Sequence, residues 1–263
     1  MNSRHHPRAS SPARDKAPNF ARAVGLARAL SKLGYCSRAQ AAELIASGRV
    51  RLNGAIRRNP ETPTRLGHDK IAVDGREIRA AENSYWMLNK PRGAITTASD
   101  EKGRDTVYRY LSKSRAWLAP VGRLDKASEG LLLFTNDSEW AASITAPQTH
   151  VPKTYHVQIA TRADDPLLES LRRGIRDHGE FLRAQRVNEL RRGERNSWLE
   201  IVLDEGKNRH IRRMLEALGI QVLRLVRVSI GSLELGDLAK GASRKLSAAE
   251  KSQLDAEIFA NGP

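Results

Sequence analysis

The strongest constraint on how this chain can fold is a pair of two-residue turns near its start. Val50-Arg51-Leu52 runs into Asn53-Gly54 and then Ala55-Ile56-Arg57. Ile71-Ala72-Val73 runs into Asp74-Gly75 and then Arg76-Glu77-Ile78. Strand-like runs joined by Asn-Gly or Asp-Gly fold as β-hairpins, because the tight turn needs positive φ at its central residues. Helical signals stand just before them. Leu26, Leu30 and Leu33 share one face of a helix predicted from Val24 to Leu33, which Gly34 stops. Ser37 and Gln40 have the spacing of a capping box for a second helix through Ser47, ended at Gly48. Residues 24–82 are therefore expected to form a small α-α-β-turn-β domain.

Residues 83–263 read as a larger domain. Strands are predicted at Tyr85–Leu88, Leu131–Thr135, Tyr155–Ile159, Leu199–Leu203 and Val222–Ile230. Helices are predicted at Asp105–Leu111, after Asp137 to Thr145, from Asp165-Pro166 to Gly174, at Asn208–Leu218, and after a Ser247/Glu250 cap. Their mixed order, without a repeated βαβ unit, predicts an α+β domain with a mainly antiparallel mixed sheet flanked by helices. Residues 1–23, rich in Pro, Ser and Arg without apolar period, read as a disordered basic tail.

Charge narrows the partners. The chain carries 45 Lys+Arg against 30 Asp+Glu, a net +15, and 33 of the basic residues are Arg. Arginine presents a planar fork of donors that suits phosphate and stacks on bases. A chain this basic is expected to meet nucleic acid; a basic surface kept for solubility is the alternative. Sixteen basic and seven acidic residues fall within 1–82, so the positive charge is densest there. Arg28, Lys32 and Arg38 lie on the two predicted helices, and Arg49 and Arg51 on the adjoining strand. They are candidate RNA-binding residues, against the alternative of solvated faces. No apolar run reaches the roughly 18 residues of a membrane span. There is no secretory signal, and the single cysteine, Cys36, has no partner for a disulfide. A cytoplasmic protein is expected.

The chain lacks the glycine-rich fingerprint of a dinucleotide site, a phosphate loop, and the His/Cys pattern of a zinc deaminase. No metal and no cofactor are expected, and an RNA methyltransferase is disfavoured for want of a nucleotide loop. Asp125 stands in VGRLDKASEGLLLFTND, flanked by Arg123 and Lys126. On spacing alone such an aspartate is usually a solvated or salt-bridged surface group. Inside a cationic cleft it would be a ready nucleophile or base, and it would repel phosphate there, a cost that favours a functional role. EGKNRHIRRMLEALG places Lys207, Arg209, Arg212 and Arg213 at a helix start, with the three arginines expected on one face. Cations there oppose the helix dipole, so an anion nearby is implied: RNA, or a carboxylate such as Asp125. Tyr155, in KTYHV, is by residue type more often core than catalytic.

LARALSKLGYCSRAQAAELIASGRVRLNG resembles the S4 RNA-binding domain. GRLDKASEGLLLFTND, KTYHV, EGKNRHIRRM and VRVSIGSLELGDLAKGASRKL together resemble the pseudouridine synthases, nearest the ribosomal small-subunit pseudouridine synthase A type and its large-subunit relatives. The resemblance covers residues 24–250. It implies an isomerase that converts a uridine of rRNA to pseudouridine without a cofactor, with a lean to the large subunit. It implies Asp125 as the nucleophilic carboxylate, Tyr155 lying against the target base, and Arg212 paired with Asp125. Leu225 would pack beneath Tyr155, Arg123 would help open the RNA stack, and Lys207 and Arg209 would bind substrate. His210 departs from the glutamine usual at that position. The expected partner is ribosomal RNA or an assembling ribosomal subunit, met by a monomer. A non-catalytic RNA-binding protein of the same fold is the rival, and it would be favoured by loss of Asp125, Tyr155 or Arg212.

Overall fold

The structure, a computed structural model, describes residues 23–98, 103–111 and 116–261. The expected tail lies outside the described residues except for Ala23. The N-terminal unit holds β1 (Val24–Gly25), α1 (Leu26–Lys32), α2 (Arg38–Ala46), β2 (Val50–Leu52), β3 (Ala55–Ile56), β4 (Pro63–Thr64), β5 (Ile71–Val73) and β6 (Arg76–Glu77). Both hairpins form, with Asn53 and Asp74 at φ 52° and 50°. The capping box forms as well: the Gln40 amide donates to Ser37 Oγ and the Ser37 amide donates to Gln40 Oε1. Leu26, Leu30, Ile45, Val50, Ile71 and Val73 close a separate core. The first helix starts two residues later than predicted, because Val24–Gly25 pairs with Pro63–Thr64 instead.

The larger unit holds β7 (Tyr85–Lys90), β8 (Ala119–Val121), β9 (Glu129–Thr135), α3 (Ser138–Thr145), β10 (Lys153–Ile159), α4 (Asp165–Arg173), β11 (Ile175–Asp177) and β12 (Glu180–Leu182). It continues through β13 (Arg186–Arg192), β14 (Ser197–Leu203), α5 (His210–Ala217), β15 (Val222–Ile230), β16 (Leu233–Glu234), β17 (Ser243–Lys245) and α6 (Ala248–Asn261). A sheet of nine strands runs β13-β14-β10-β15-β9-β7-β17, with β16 on β15 and β8 on β9. Every pair in it is antiparallel except β15 with β9. The α+β architecture is the one expected. The amphipathic helices α4 and α5 bury Leu167, Leu171, Ile211, Met214 and Leu215 against β10, β14 and β15. Helices α3 and α6 cover β7 and β9 with Trp140, Ile144, Leu254 and Ile258.

Two predicted helices are corrected. Residues 105–111 make only a 3₁₀ turn, Val107–Tyr110, because the Ile95 amide donates to Asp105 O and the Val107 amide donates to Ile95 O, holding the entry extended. Helix α5 begins at His210, since Arg209 takes a left-handed φ of 49°. Helix α4 begins at Asp165, as predicted, and Asp164 caps it.

The parallel seam between β15 and β9 brings the site together. Gly130 sits there at φ +102°, and a Cβ on it would lie 2.2 Å from the Arg227 carbonyl oxygen. Only glycine allows this approach, which draws the loop before β9 up to the face of β15.

Candidate active site

The loop carrying Asp125 joins β8 to β9, and its backbone is fixed at every carbonyl from 124 to 128. Thr96 Oγ1 donates to Leu124 O at 2.8 Å. The Ser128 amide and Lys90 Nζ donate to Asp125 O, at 3.0 and 3.1 Å. The Gly93 amide donates to Lys126 O at 2.7 Å, Arg212 Nη2 to Ala127 O at 3.1 Å, and Lys90 Nζ to Ser128 O at 2.8 Å. Lys90 also donates to Pro91 O, which fills its three donors. Its side chain is wholly buried, and burial pushes its pKa down to about 8. A loop tied at five successive carbonyls is a rigid mount for the half-buried Asp125.

Asp125 faces a cavity of about 390 Å³ between this loop, the start of α5 and the face of β10 and β15. Tyr155 and Leu225 line its floor; Arg123, Lys207, Arg209 and Arg212 line its sides. All seven residues singled out for this part of the chain therefore meet at one place. The arginines do not share a face as expected. Arg213 turns to the β11–β12 hairpin, with Nε 2.6 Å from Asp177 Oδ2 and Nη1 2.7 Å from Glu180 Oε2. Arg209 precedes the helix and lies 4.0 Å from Glu216 Oε2. Lys207 Nζ donates to Phe181 O and pairs with Glu205 at 2.7 Å. Nor does Arg212 ion-pair with Asp125 among the described residues: it bonds the adjoining backbone, while Asp125 acts on it through its charge. Burial pushes the Arg212 guanidinium pKa down, and Asp125 pulls it back up.

Five buried side-chain polar atoms lack a hydrogen-bond partner among the described residues, and four of them belong to residues that line this cavity: both ring nitrogens of His210, Arg212 Nε and Arg227 Nη2. An unpaired buried polar group costs roughly 1–3 kcal/mol. Such groups concentrated in one cavity fit a polar guest that completes their bonding. Burial lowers the His210 pKa, so the ring is neutral at pH 7 and can both donate and accept. Sequence reasoning did not single out Lys90, Thr96 or Arg227. The only local sign for Lys90 was a charged residue closing an apolar strand before Pro91.

The five candidate RNA-binding residues divide. Arg28, Lys32 and Arg38 line a groove between α1 and α2 that Glu139 of α3 closes. Arg49 instead pairs with Asp74, Nε 2.9 Å from Oδ1, and Arg51 donates to Gly54 O in its own hairpin. Among the described residues no group of three or more His, Cys, Asp or Glu side chains could hold a metal ion. Among the described residues, no helix is long and apolar enough to cross a membrane.

Residues 84–217, just over half the chain, match the RNA pseudouridylate synthase family, and residues 24–71 match the S4 domain. The chain belongs to the RNA pseudouridylate synthase family. Relatives span nearly all of the synthase. A ribosomal large subunit pseudouridine synthase B of Bacillus subtilis is 36% identical over 88% of this chain and 95% of its own. An RNA pseudouridine synthase of Rickettsia bellii is 38% identical over 84% of this chain and 96% of its own. A crystal structure of a pseudouridylate synthase superposes with TM-score 0.60 at 30% identity, over 88% of this chain and 99% of that one.

Proposed function

We propose that this pseudouridine synthase isomerises one uridine of large-subunit rRNA, with Asp125 as nucleophile, Tyr155 against the base and Arg212 holding the loop of Asp125. The observation that carries the assignment of the site is the meeting of a carboxylate on a rigid loop with a cavity whose lining residues hold unpartnered buried polar atoms. The reaction breaks an N–C glycosidic bond, turns the base and rejoins it through carbon, so it needs no redox partner or group donor. The base must leave its stack to reach Asp125, at roughly a few kcal/mol. Phosphate contacts from residues 24–82 offset that cost, while residues 83–263 carry the chemistry. Arg123, exposed at the mouth, holds the opened RNA, with Lys207 and Arg209 beside it. The relatives named for the large subunit support that choice of rRNA. A monomer acting in the cytoplasm, on free rRNA or on an assembling subunit, completes the reading.

Mapping pseudouridine across both rRNAs, in cells with and without the gene, tests this. One large-subunit position should lose its pseudouridine, wild-type protein should restore it and Asp125→Asn should not. Asp125 bears no ion pair among the described residues, so the Asn variant should stay within about 1 kcal/mol of wild-type stability. Unchanged rRNA in the deletion strain, or restoration by the Asn variant, would overturn the reading.

A further inference from the structure

We propose that Lys153 and Arg227 form a buried cationic floor that carries the negative charge of the uracil base once its bond to ribose breaks. The inference rests on the proposed function and assigns a task to two residues outside the Asp125, Tyr155 and Arg212 set. Lys153 lies two residues before Tyr155 on β10, and Arg227 is the direct cross-strand partner of Tyr155 on β15. All three side chains therefore project from the same face of the sheet. Both cations line the cavity, at 8% and 5% exposure.

Neither makes an ion pair among the described residues. Lys153 Nζ has one long bond, 3.3 Å to Ile144 O. Arg227 Nε donates to Leu131 O at 2.7 Å, while its Nη2 is buried without a partner. The carboxylates acting on Lys153 at longer range, Asp204 and Glu257, have other neighbours: Asp204 lies 3.7 Å from His150, and Glu257 accepts from the Ser232 amide. Burial and the Arg227 charge together push the Lys153 pKa down to about 8. Two like charges buried side by side destabilise the empty protein. A purely structural role explains one bond of each cation; neither bond, each to a neutral carbonyl, neutralises the charge it carries. An anion in the cavity does so.

The reaction generates such an anion inside the cavity. When the N1–C1′ bond breaks, its electron pair stays with the base and spreads over N1, O2 and O4. C1′ is taken up by the Asp125 carboxylate or relieved by loss of a C2′ proton. C5 then attacks C1′; as the C5–C1′ bond forms, the C1′–O bond to Asp125 breaks and frees the carboxylate, or on the other branch the proton returns to C2′. C5 finally loses its proton and N1 gains one. Pre-placed cations stabilise the charge as it develops. RNA also brings phosphate, the other anion these groups could meet, and the test separates the two.

Lys153→Met keeps the length of the side chain and removes its charge. Replacing a buried charge by an apolar group of similar volume is often neutral or stabilising, so its melting temperature should match or exceed wild type. Single-turnover consumption of the target in large-subunit rRNA should slow by about 10²-fold, as for loss of an oxyanion donor, at unchanged RNA affinity. The same RNA made with 5-fluorouridine, whose base is more acidic and leaves more readily, should narrow that deficit. Arg227→Gln should behave in the same way, and Lys153→Arg should recover most of the rate. An equal deficit on both RNAs would overturn the proposal, and if RNA affinity fell with it the bound anion would be phosphate. Wild-type rates in both neutral variants would overturn it too. Inactive wild-type protein would instead refute the proposed function itself.

Discussion

Lys90 shows how a single buried residue can fix the loop that carries Asp125. Its ammonium bridges the carbonyls of Pro91, Asp125 and Ser128, so the end of β7 and the two ends of the Asp125 loop hang on one group. Lys90→Met should leave the carbonyls of Pro91 and Ser128 unpaired at about 1–3 kcal/mol each, partly offset by removing a buried charge. Calorimetry should show a lower melting temperature, and single-turnover rates should fall further than RNA affinity. A variant with wild-type stability and rate would remove Lys90 from the account. That Asp125, Tyr155, Leu225 and Arg212 belong to one candidate site was legible in the sequence because their motifs are short and local, and all four line one cavity. Lys90 and Arg227 were not, because their importance comes from burial, and burial arises from strands far apart in the chain. The expected Arg212–Asp125 pair illustrates the same limit. Residue types place the two side by side, but the Ala127 carbonyl, which no side-chain pattern reports, takes the hydrogen bond.

At the scale of elements, the strands and caps with strong local signals were legible, and the polar or geometric ones were not. The Asn-Gly and Asp-Gly hairpins and the boxes at Ser37 and Ser247 follow from the sequence. Strand β13 was missed because Arg186–Arg192 is a polar edge strand with only Val187 buried, so it lacks apolar alternation. The β9–β15 seam was missed because parallel pairing leaves no turn signal. Two substitutions probe these elements. Gly130→Ala must place a methyl against the Arg227 carbonyl and should cost about 3 kcal/mol or more, with loss of activity. Gly54→Ala, at φ +81° with nothing within 4 Å of the added carbon, meets only backbone strain and should cost about 1 kcal/mol. Urea melts of the two variants would check the order; equal costs would mean the seam is not tight. The α6 cap gives a pH test. Two Arg244 hydrogen bonds, at 2.8 and 2.6 Å, with help from the Ser247 amide, hold the Glu250 pKa at about 2 against an ordinary 4.5. A depressed carboxylate stabilises the fold above its unfolded pKa and loses that contribution as pH falls through its folded one. The melting temperature of Glu250→Gln should thus lie below wild type at neutral pH, and the gap should close between pH 4.5 and about 2. A gap that stayed constant across that range would rule out the ionised cap.

At the scale of the whole molecule, the two units are joined by hydrogen bonds as well as by the chain. The Trp117 amide donates to Gly34 O at 2.9 Å, and Asn136 Nδ2 donates to Glu82 O at 2.9 Å. Helix α3 links the two candidate sites, since Glu139 closes the groove of Arg28, Lys32 and Arg38 while Thr145 lines the cavity that Asp125 faces. Six residues of helix span about 9 Å, so the two sites lie within one short helix of each other, and under the proposed function RNA held in the groove would reach the cavity. Three free cations in that groove predict a measurable electrostatic share of binding. None of the three makes an ion pair among the described residues, in contrast to Arg49. Replacing Arg28, Lys32 and Arg38 together by Ala should weaken rRNA binding, and should flatten the slope of log affinity against log salt by about 2, near 0.7 per lost contact. The rate at saturating RNA should hold, because the cavity and the loop of Asp125 lie in the other unit. An Arg49→Ala variant should change the slope far less, its guanidinium being engaged by Asp74. Filter binding across a salt series, with single-turnover rates at saturation, reads both quantities. An unchanged slope in the triple variant would show that the groove does not hold phosphate, and the basic tail or the mouth of the cavity would then have to supply the grip.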